Sequence, residues 1–168
     1  MTYHSYWRNK SSNFDVEPYC IKLFKQRWYV LGRSSYLNKM MIYALDRIQE
    51  LWTLDDKYFN LESDFDADNF FCDYFGVMID HNTPKEHIKL KVAISQANYL
   101  RSLPLHKSQT ETYQSENFSI FEYNMRPTSD FHQEIMWHGE TIEVIEPKWL
   151  REEIISKINE LNNIYKIK

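Results

Sequence analysis

Residues Phe14 to Ile48 read F-D-V-E-P-Y-C-I-K-L-F-K-Q-R-W-Y-V-L-G-R-S-S-Y-L-N-K-M-M-I-Y-A-L-D-R-I, and this stretch decides the fold. Its middle, Arg27 to Arg33, is an aromatic and apolar run with an arginine at each end. Ser34, Ser35 and Asn38 interrupt it before a second run from Met40 to Ile48. Two short β-type runs joined by a polar connector predict a hairpin. Upstream, Phe14 to Phe24 predicts a further strand, broken at Pro18, whose missing N–H suits a strand start, an edge or a bend. Lys25 and Gln26 make a tight turn into the central run.

Side chains alternate between the faces of a strand, so Trp28, Val30 and Gly32 share one face and Arg27, Tyr29, Leu31 and Arg33 the other. The first set is expected to face the core. The second combines aromatic surface with two cations, which is equipment for stacking a planar group and neutralising phosphate or another anion. The plainer reading is a pair of solvated arginines at the ends of an ordinary strand.

Working outward, residues 1–12 (M-T-Y-H-S-Y-W-R-N-K-S-S) alternate at Tyr3, Ser5 and Trp7 and predict an edge strand, ending in a polar turn at 9–13. Downstream, Asp66 is placed to cap a short helix over Ala67 to Phe75, with Phe70, Phe71, Tyr74 and Phe75 buried and Gly76 as its stop. From His87 the pattern changes. Ile88, Leu90, Val92 and Ile94 alternate as a half-buried strand; Ser95 opens a helix that ends before Pro104; strands follow at Thr110 to Gln114 and Phe118 to Arg126 around the turn Ser115-Glu116-Asn117. Ser129 or Asp130 caps a helix through Trp137 that stops at Gly139, and Thr141 to Ile145 is the last strand. Pro147 then opens a terminal helix with Leu150, Ile154, Ile158, Leu161 and Tyr165 at spacings of three and four. The order β-α-β-β-α-β is the split βαβ, ferredoxin-like arrangement.

At 168 residues, 43% hydrophobic and 16% aromatic, the chain can bury a core and holds one domain or two small ones. The net charge of −4 is unevenly spread: residues 1–53 carry 8 Lys and Arg against 4 Asp and Glu, residues 54–84 carry 1 against 8, and residues 85–168 carry 11 against 12. A basic first module, an acidic connector and a near-neutral second module suit an anion-binding domain with a separate partner domain. The total is too acidic for indiscriminate binding to duplex DNA. No signal-peptide pattern and no apolar run of about 18 residues occurs, so the expected location is the cytoplasm, with no membrane partner.

Chemistry of the usual catalytic kinds is not patterned in the sequence. Cys20 and Cys72 make neither a disulfide framework nor a C-x-x-C site. His4, His81, His87, His106, His132 and His138 show no zinc spacing. The run Asp64, Asp66, Asp68 lacks the glycine and distal glutamate of a calcium loop and reads better as helix capping. With three glycines, the chain has no phosphate-cradling Gly-rich loop. His106, beside Lys107, Ser108 and Gln109, is either part of an anion-docking loop or a capped turn between helix and strand. The expectation is a non-enzyme without metal or cofactor.

Pro18-Tyr19, Arg27-Trp-Tyr-Val-Leu-Gly-Arg33 and Tyr43-Ala-Leu-Asp-Arg-Ile48, in that order, resemble the WYL domain of bacterial transcriptional regulators, a small Sm-like or SH3-like β-barrel named for a Trp-Tyr-Leu triplet. Here the third position is Val30, an apolar-for-apolar departure. Tyr99 to Gln109 (Y-L-R-S-L-P-L-H-K-S-Q), Trp137 to Pro147 (W-H-G-E-T-I-E-V-I-E-P) and Trp149-Leu-Arg151 resemble the WCX extension that follows the barrel in many of these proteins. The resemblance implies an α+β chain: a barrel over residues 1–57, an acidic linker with a short helix over 58–84, and a ferredoxin-like domain with its C-terminal helix over 85–168.

The resemblance further implies a ligand face made by Ser5, Arg27, Tyr29, Arg33 and Arg47, with Tyr3 beside it, that takes single-stranded nucleic acid or a nucleotide-like ligand. Such regulators carry a helix-turn-helix DNA-binding domain ahead of the barrel. None is patterned before Tyr3, so the chain is expected to be either the effector part of a longer regulator or a stand-alone sensor, dimerising through its C-terminal part. The competing expectation is a peptide-binding module using Tyr29, Tyr36 and Tyr43, or a dimerisation module without a nucleic-acid ligand.

Overall fold

Strand propensity in the N-terminal part is realised as six short strands. A computed structural model, describing residues 1–166, places β1 at Thr2–Ser5, β2 at Lys10–Asn13, β3 at Val16–Phe24, β4 at Arg27–Ser34, β5 at Lys39–Ala44 and β6 at Ile48–Glu50, with a 3-10 turn at Leu45–Arg47. They form two three-stranded antiparallel sheets, ordered β2-β1-β6 and β3-β4-β5. The predicted hairpin is the pair β4 and β5, whose turn is held by Asn38 N–H donating to Ser34 O at 2.8 Å and Leu37 N–H donating to Ser34 Oγ at 3.2 Å.

Pro18 has no N–H for the ladder, and the β3–β4 register shifts between Pro18 and Cys20, a bulge at the bend the sequence anticipates. The turn from β3 to β4 places Lys25 at φ 45° and Gln26 at φ 64°, two positive angles in succession, as a two-residue hairpin turn requires. Gly32 is where the strands crowd: a Cβ there would meet Val16 Cγ1 at 2.4 Å and the Glu17 carbonyl oxygen at 3.0 Å.

Two expectations for this region are corrected. Residues 1–12 are a hairpin rather than one strand, because Lys10–Asn13, read as a polar turn, forms β2 at the edge of its sheet, where a strand needs backbone pairing but no apolar alternation. The faces of β4 are also not as polarity suggests: Trp28 is 48% exposed and Leu31 fully buried. On the Leu31 side Arg33 lies over the Tyr19 ring, which stacks on Phe59 and meets Phe65 edge-on, so aromatic residues from beyond β6 cover that side toward its Arg33 end, while Arg27 at the other end stays 41% exposed.

The chain divides into two compact units, the first ending at Phe70 and the second beginning at Phe71. Helix α1 spans Ala67–Phe70, capped by Asp66 Oδ1, which accepts the N–H groups of Asp68 (2.8 Å) and Asn69 (3.2 Å). It stops at Phe70 instead of continuing to Phe75. Beyond that point the backbone bonds elsewhere: Tyr74 N–H turns back to Phe71 O, and Asp73 O accepts the Arg126 N–H at 2.7 Å.

In the second unit β7 (Glu86–Ala93), α2 (Ile94–Ser102), β8 (Thr110–Gln114), β9 (Phe118–Met125), α3 (Ser129–Trp137), β10 (Ile142–Glu146) and α4 (Lys148–Tyr165) follow the predicted order. The antiparallel sheet runs β10-β7-β9-β8, the ferredoxin-like arrangement. Alternation on β7 puts Ile88, Leu90 and Val92 into a core with Phe121 and Tyr123 from β9, Leu100 from α2, Phe131 from α3 and Leu150 from α4. Each such side chain contributes on the order of 1.5–3 kcal/mol by leaving water.

Local chemistry fixes the helix ends. Asp130 is buried, with its Oδ2 accepting the N–H groups of Val77 (2.9 Å) and Met78 (3.0 Å) and its Oδ1 the Thr128 hydroxyl (2.6 Å). Gly139 adopts φ 56° after α3. Only the first half of the α4 stripe is covered: Leu150 and Ile154 are buried, whereas Ile158, Leu161 and Tyr165 are exposed.

Candidate functional site

The residues expected to form a ligand face lie on β1, β4 and the 3-10 turn, and the turn packs against both strands. It therefore draws Arg27, at the start of β4, and Arg47 together with the end of β1. Arg33, six residues along β4 from Arg27, is about 20 Å away on an extended strand. One small anion cannot touch both; a ligand of several units can.

Each candidate has a defined partner or lacks one. Arg27 Nε pairs with Asp46 Oδ2 at 3.2 Å with both side chains about half exposed. Arg33 is bound to the Glu62 carboxylate, has Glu17 at 4.0 Å and lies 5.4 Å from the Tyr19 ring centre. The Glu62 hydrogen bond raises its pKa above the ordinary arginine value. Tyr29 is half-buried, registered opposite Lys22 and Ala44. Tyr3 is turned inward: its hydroxyl accepts the Ala44 N–H at 3.2 Å, and its ring meets Tyr43 edge-on at 5.3 Å. Ser5 Oγ accepts the Arg8 N–H at 3.3 Å, so the serine pins the β1–β2 turn.

Arg47 differs from the other two arginines. Its guanidinium sits 4.2 Å from the Tyr6 ring centre, its Nε is shielded from solvent with no hydrogen-bond partner, and it pairs with no carboxylate among the described residues. A shielded donor left unpaired costs about 1–3 kcal/mol. Arg47 and Tyr6 thus form a cation–aromatic pair at the turn end of the β1–β2 hairpin. Sequence reasoning picked Arg47 but not Tyr6, because nothing in residue spacing links positions 41 apart.

The second feature missed is a cavity. Beside β3, β4, β6 and the segment 51–59 that follows lies an open, mostly apolar hollow of about 1050 Å³, lined by Val16, Pro18, Ile21, Val30, Ile48 and Leu51 among others. Voids in packed cores rarely exceed a water molecule, and small-ligand sites run about 300–1,000 Å³, so this space is of ligand size. Lys57 and Asp15, paired at 2.8 Å, stand among its lining residues; the lysine hydrogen bond holds the Asp15 carboxyl below its usual range.

Other polar groups prove structural. His106 is buried, with Nε2 donating to Cys72 O at 2.9 Å and Nδ1 accepting from Ser108, so it closes a turn and presents no docking face. Burial lowers its pKa, the bond to Cys72 opposing the shift. Among the described residues no group of His, Cys, Asp and Glu is arranged to hold a metal ion, and no helix is long and apolar enough to cross a membrane. Cys20 and Cys72 are free.

Comparison with known proteins places the two units. Residues 1–52 match the WYL domain and residues 84–161 the WCX domain. Among solved structures the chain is similar to the proteasome accessory factor B/C (PafBC) of Arthrobacter aurescens, at 15% identity and a TM-score of 0.39, over 96% of this chain and 24% of that one. It is also similar to a CRISPR Cas-related protein, at 13% identity and a TM-score of 0.34, over 99% of this chain and 48% of that one. The chain thus spans about a quarter of the first and about half of the second. No curated protein matches the sequence.

Proposed function

The chain belongs to the WYL-domain family of transcriptional regulators, and from that premise we propose that it is a ligand-sensing module whose first unit binds single-stranded nucleic acid or a nucleotide-like anion and so regulates transcription. Arg47 carries this reading: a cation stacked on an aromatic ring, shielded yet without a carboxylate, is poised for an external acceptor. Arg27 pairs with Asp46 of the same 3-10 turn, Ser5 precedes the Tyr6 that Arg47 stacks on, and Tyr29 and Arg33 extend the line along β4 for a ligand longer than one nucleotide. In this reading the chain is either the effector part of a longer regulator whose helix-turn-helix reads DNA, or a stand-alone sensor. Dimerisation through the C-terminal part is a further element of this proposal, supported by the exposed Ile158, Leu161 and Tyr165 on α4; Leu161→Lys is expected to shift sedimentation toward monomer, and an unchanged sedimentation coefficient would remove α4 from the interface.

The test is fluorescence anisotropy of labelled single-stranded oligonucleotides at low and moderate salt, comparing the wild type with Arg27→Ala/Arg47→Ala. Each phosphate contact contributes a salt slope of about −0.7 for single strands. Salt-sensitive binding that disappears in the double variant is the expected result. Binding that is insensitive to salt and to both arginines would favour the second reading, a peptide or other apolar partner, which the cavity and the exposed Ile21, Leu23 and Trp28 support.

A further inference from the structure

We propose that the tip of the β1–β2 hairpin, Tyr6 to Lys10, is a stacking arm for single-stranded nucleic acid, with Trp7 taking a base and Arg8 and Lys10 its flanking phosphates. The proposal rests on the reading that the first unit binds such a ligand, and adds a second contact region to the arginine face.

Trp7 is 90% exposed, the most exposed of the five tryptophans. Both faces of its ring are therefore open to a stacking partner. The tip that carries it is held in place. Ser5 pairs with Lys10 and His4 with Ser11 across the ladder, His4 Nδ1 lies 3.2 Å from Ser11 Oγ, Ser5 Oγ accepts the Arg8 N–H, and Asn9 takes the positive φ of 46° that closes the turn. A turn held in this way loses little backbone freedom on binding.

Charge selects the partner. Residues 1–14 contain Arg8, Lys10 and no acidic residue. Neither cation pairs with a carboxylate among the described residues, and Arg47 sits against Tyr6, the first residue of the same tip. The adjoining strand is Lys-Ser-Ser-Asn, so Trp7 and Tyr6 have no apolar neighbours along β2 with which to make a protein-type interface. Isolated rings flanked by unpaired cations match a strand of bases and phosphates, which offers π-faces and negative charge in alternation.

The experiment titrates the full chain into a labelled oligothymidylate of about 12 nucleotides, within the site sizes of single-strand binders. Trp7→Ala is expected to weaken binding about tenfold with the salt slope unchanged, because stacking is uncharged. Trp7→Phe retains most of the affinity. Arg8→Ala/Lys10→Ala is expected to flatten the slope by about 1.4, two phosphates' worth. Wild-type binding that Trp7→Ala leaves intact overturns the stacking arm while the arginine-face reading stands, provided Arg27→Ala/Arg47→Ala still abolishes it. No binding by folded wild type overturns both.

Discussion

The second unit gathers a large set of fully buried side chains into one core, whereas the first buries few and leaves aromatic rings and cations facing outward. In the second, Ile88, Leu90, Val92, Tyr123, Met125, Phe131 and Leu150 are all fully buried, and the buried Asp130 and His106 bond to the backbone of their own unit. In the first, Leu31 alone reaches that degree of burial among the described core residues, while Trp7, Ile21, Leu23 and Trp28 stay exposed and an open hollow of ligand size lies beside β3, β4 and β6. Two parts of one chain thus divide the work: one supplies packing, the other presents aromatic rings and cations.

The largest effect that sharpens this contrast is Phe121→Ala, expected to lower unfolding free energy by about 3–5 kcal/mol, since the removed ring leaves a hole in a core that cannot close over it. Trp28→Ala deletes a larger side chain yet is expected to cost under about 1.5 kcal/mol, because half of that surface is already in water. Denaturant unfolding of both variants gives the comparison. Equal losses would mean that the two units are equally packed.

The same contrast decides what could be read in the sequence. Alternation over Ile88, Leu90 and Val92 maps directly onto the buried side of β7, and Asp66, Lys25-Gln26, Gly139 and Pro147 punctuate the chain where local backbone demands predict. In β4 alternation gives which residues share a face but not which face is covered. That depends on Phe59 and Phe65 reaching Tyr19 from far along the chain, so Leu31 and Trp28 exchange their expected places. Arg27, Arg33 and Arg47 were visible as candidates. Their different situations were not, because Glu62 lies 29 residues from Arg33 and Tyr6 lies 41 from Arg47, separations that no local pattern encodes.

A smaller effect concerns acid. His106 has its pKa lowered from the ordinary 6.5, chiefly by burial, so the folded chain takes up this proton less readily than the unfolded one. Stability is therefore full above pH 6.5 and declines as pH falls below it toward the folded-state value, by about 1.4 kcal/mol for every tenfold difference in proton affinity between the two states. His106→Gln is expected to flatten the acid limb of a stability–pH curve between pH 7 and 5 while lowering its plateau, since the bond to Cys72 O is weakened. An unchanged limb would assign that acid sensitivity to other groups.

The smallest expected change in stability belongs to the Arg27–Asp46 pair, and it tests the division of labour most sharply. Both side chains are more than 40% exposed, so the pair is worth about 0.2–1 kcal/mol, and Asp46→Ala is expected to move the unfolding midpoint little. In the second unit Arg101 makes a two-pronged contact with Glu111, at 2.9 and 2.5 Å, with the buried Ser119 as a further partner and less than a third of either side chain exposed. Glu111→Ala is expected to cost more than Asp46→Ala. For binding the order reverses. Removing the half-exposed Asp46 carboxylate takes away an opposing charge worth about 1 kcal/mol under full water screening, so anion affinity is expected to rise roughly fivefold, whereas Glu111→Ala leaves affinity unchanged. If Asp46→Ala instead weakened oligonucleotide binding, the aspartate would be holding Arg27 in its binding pose rather than competing for it.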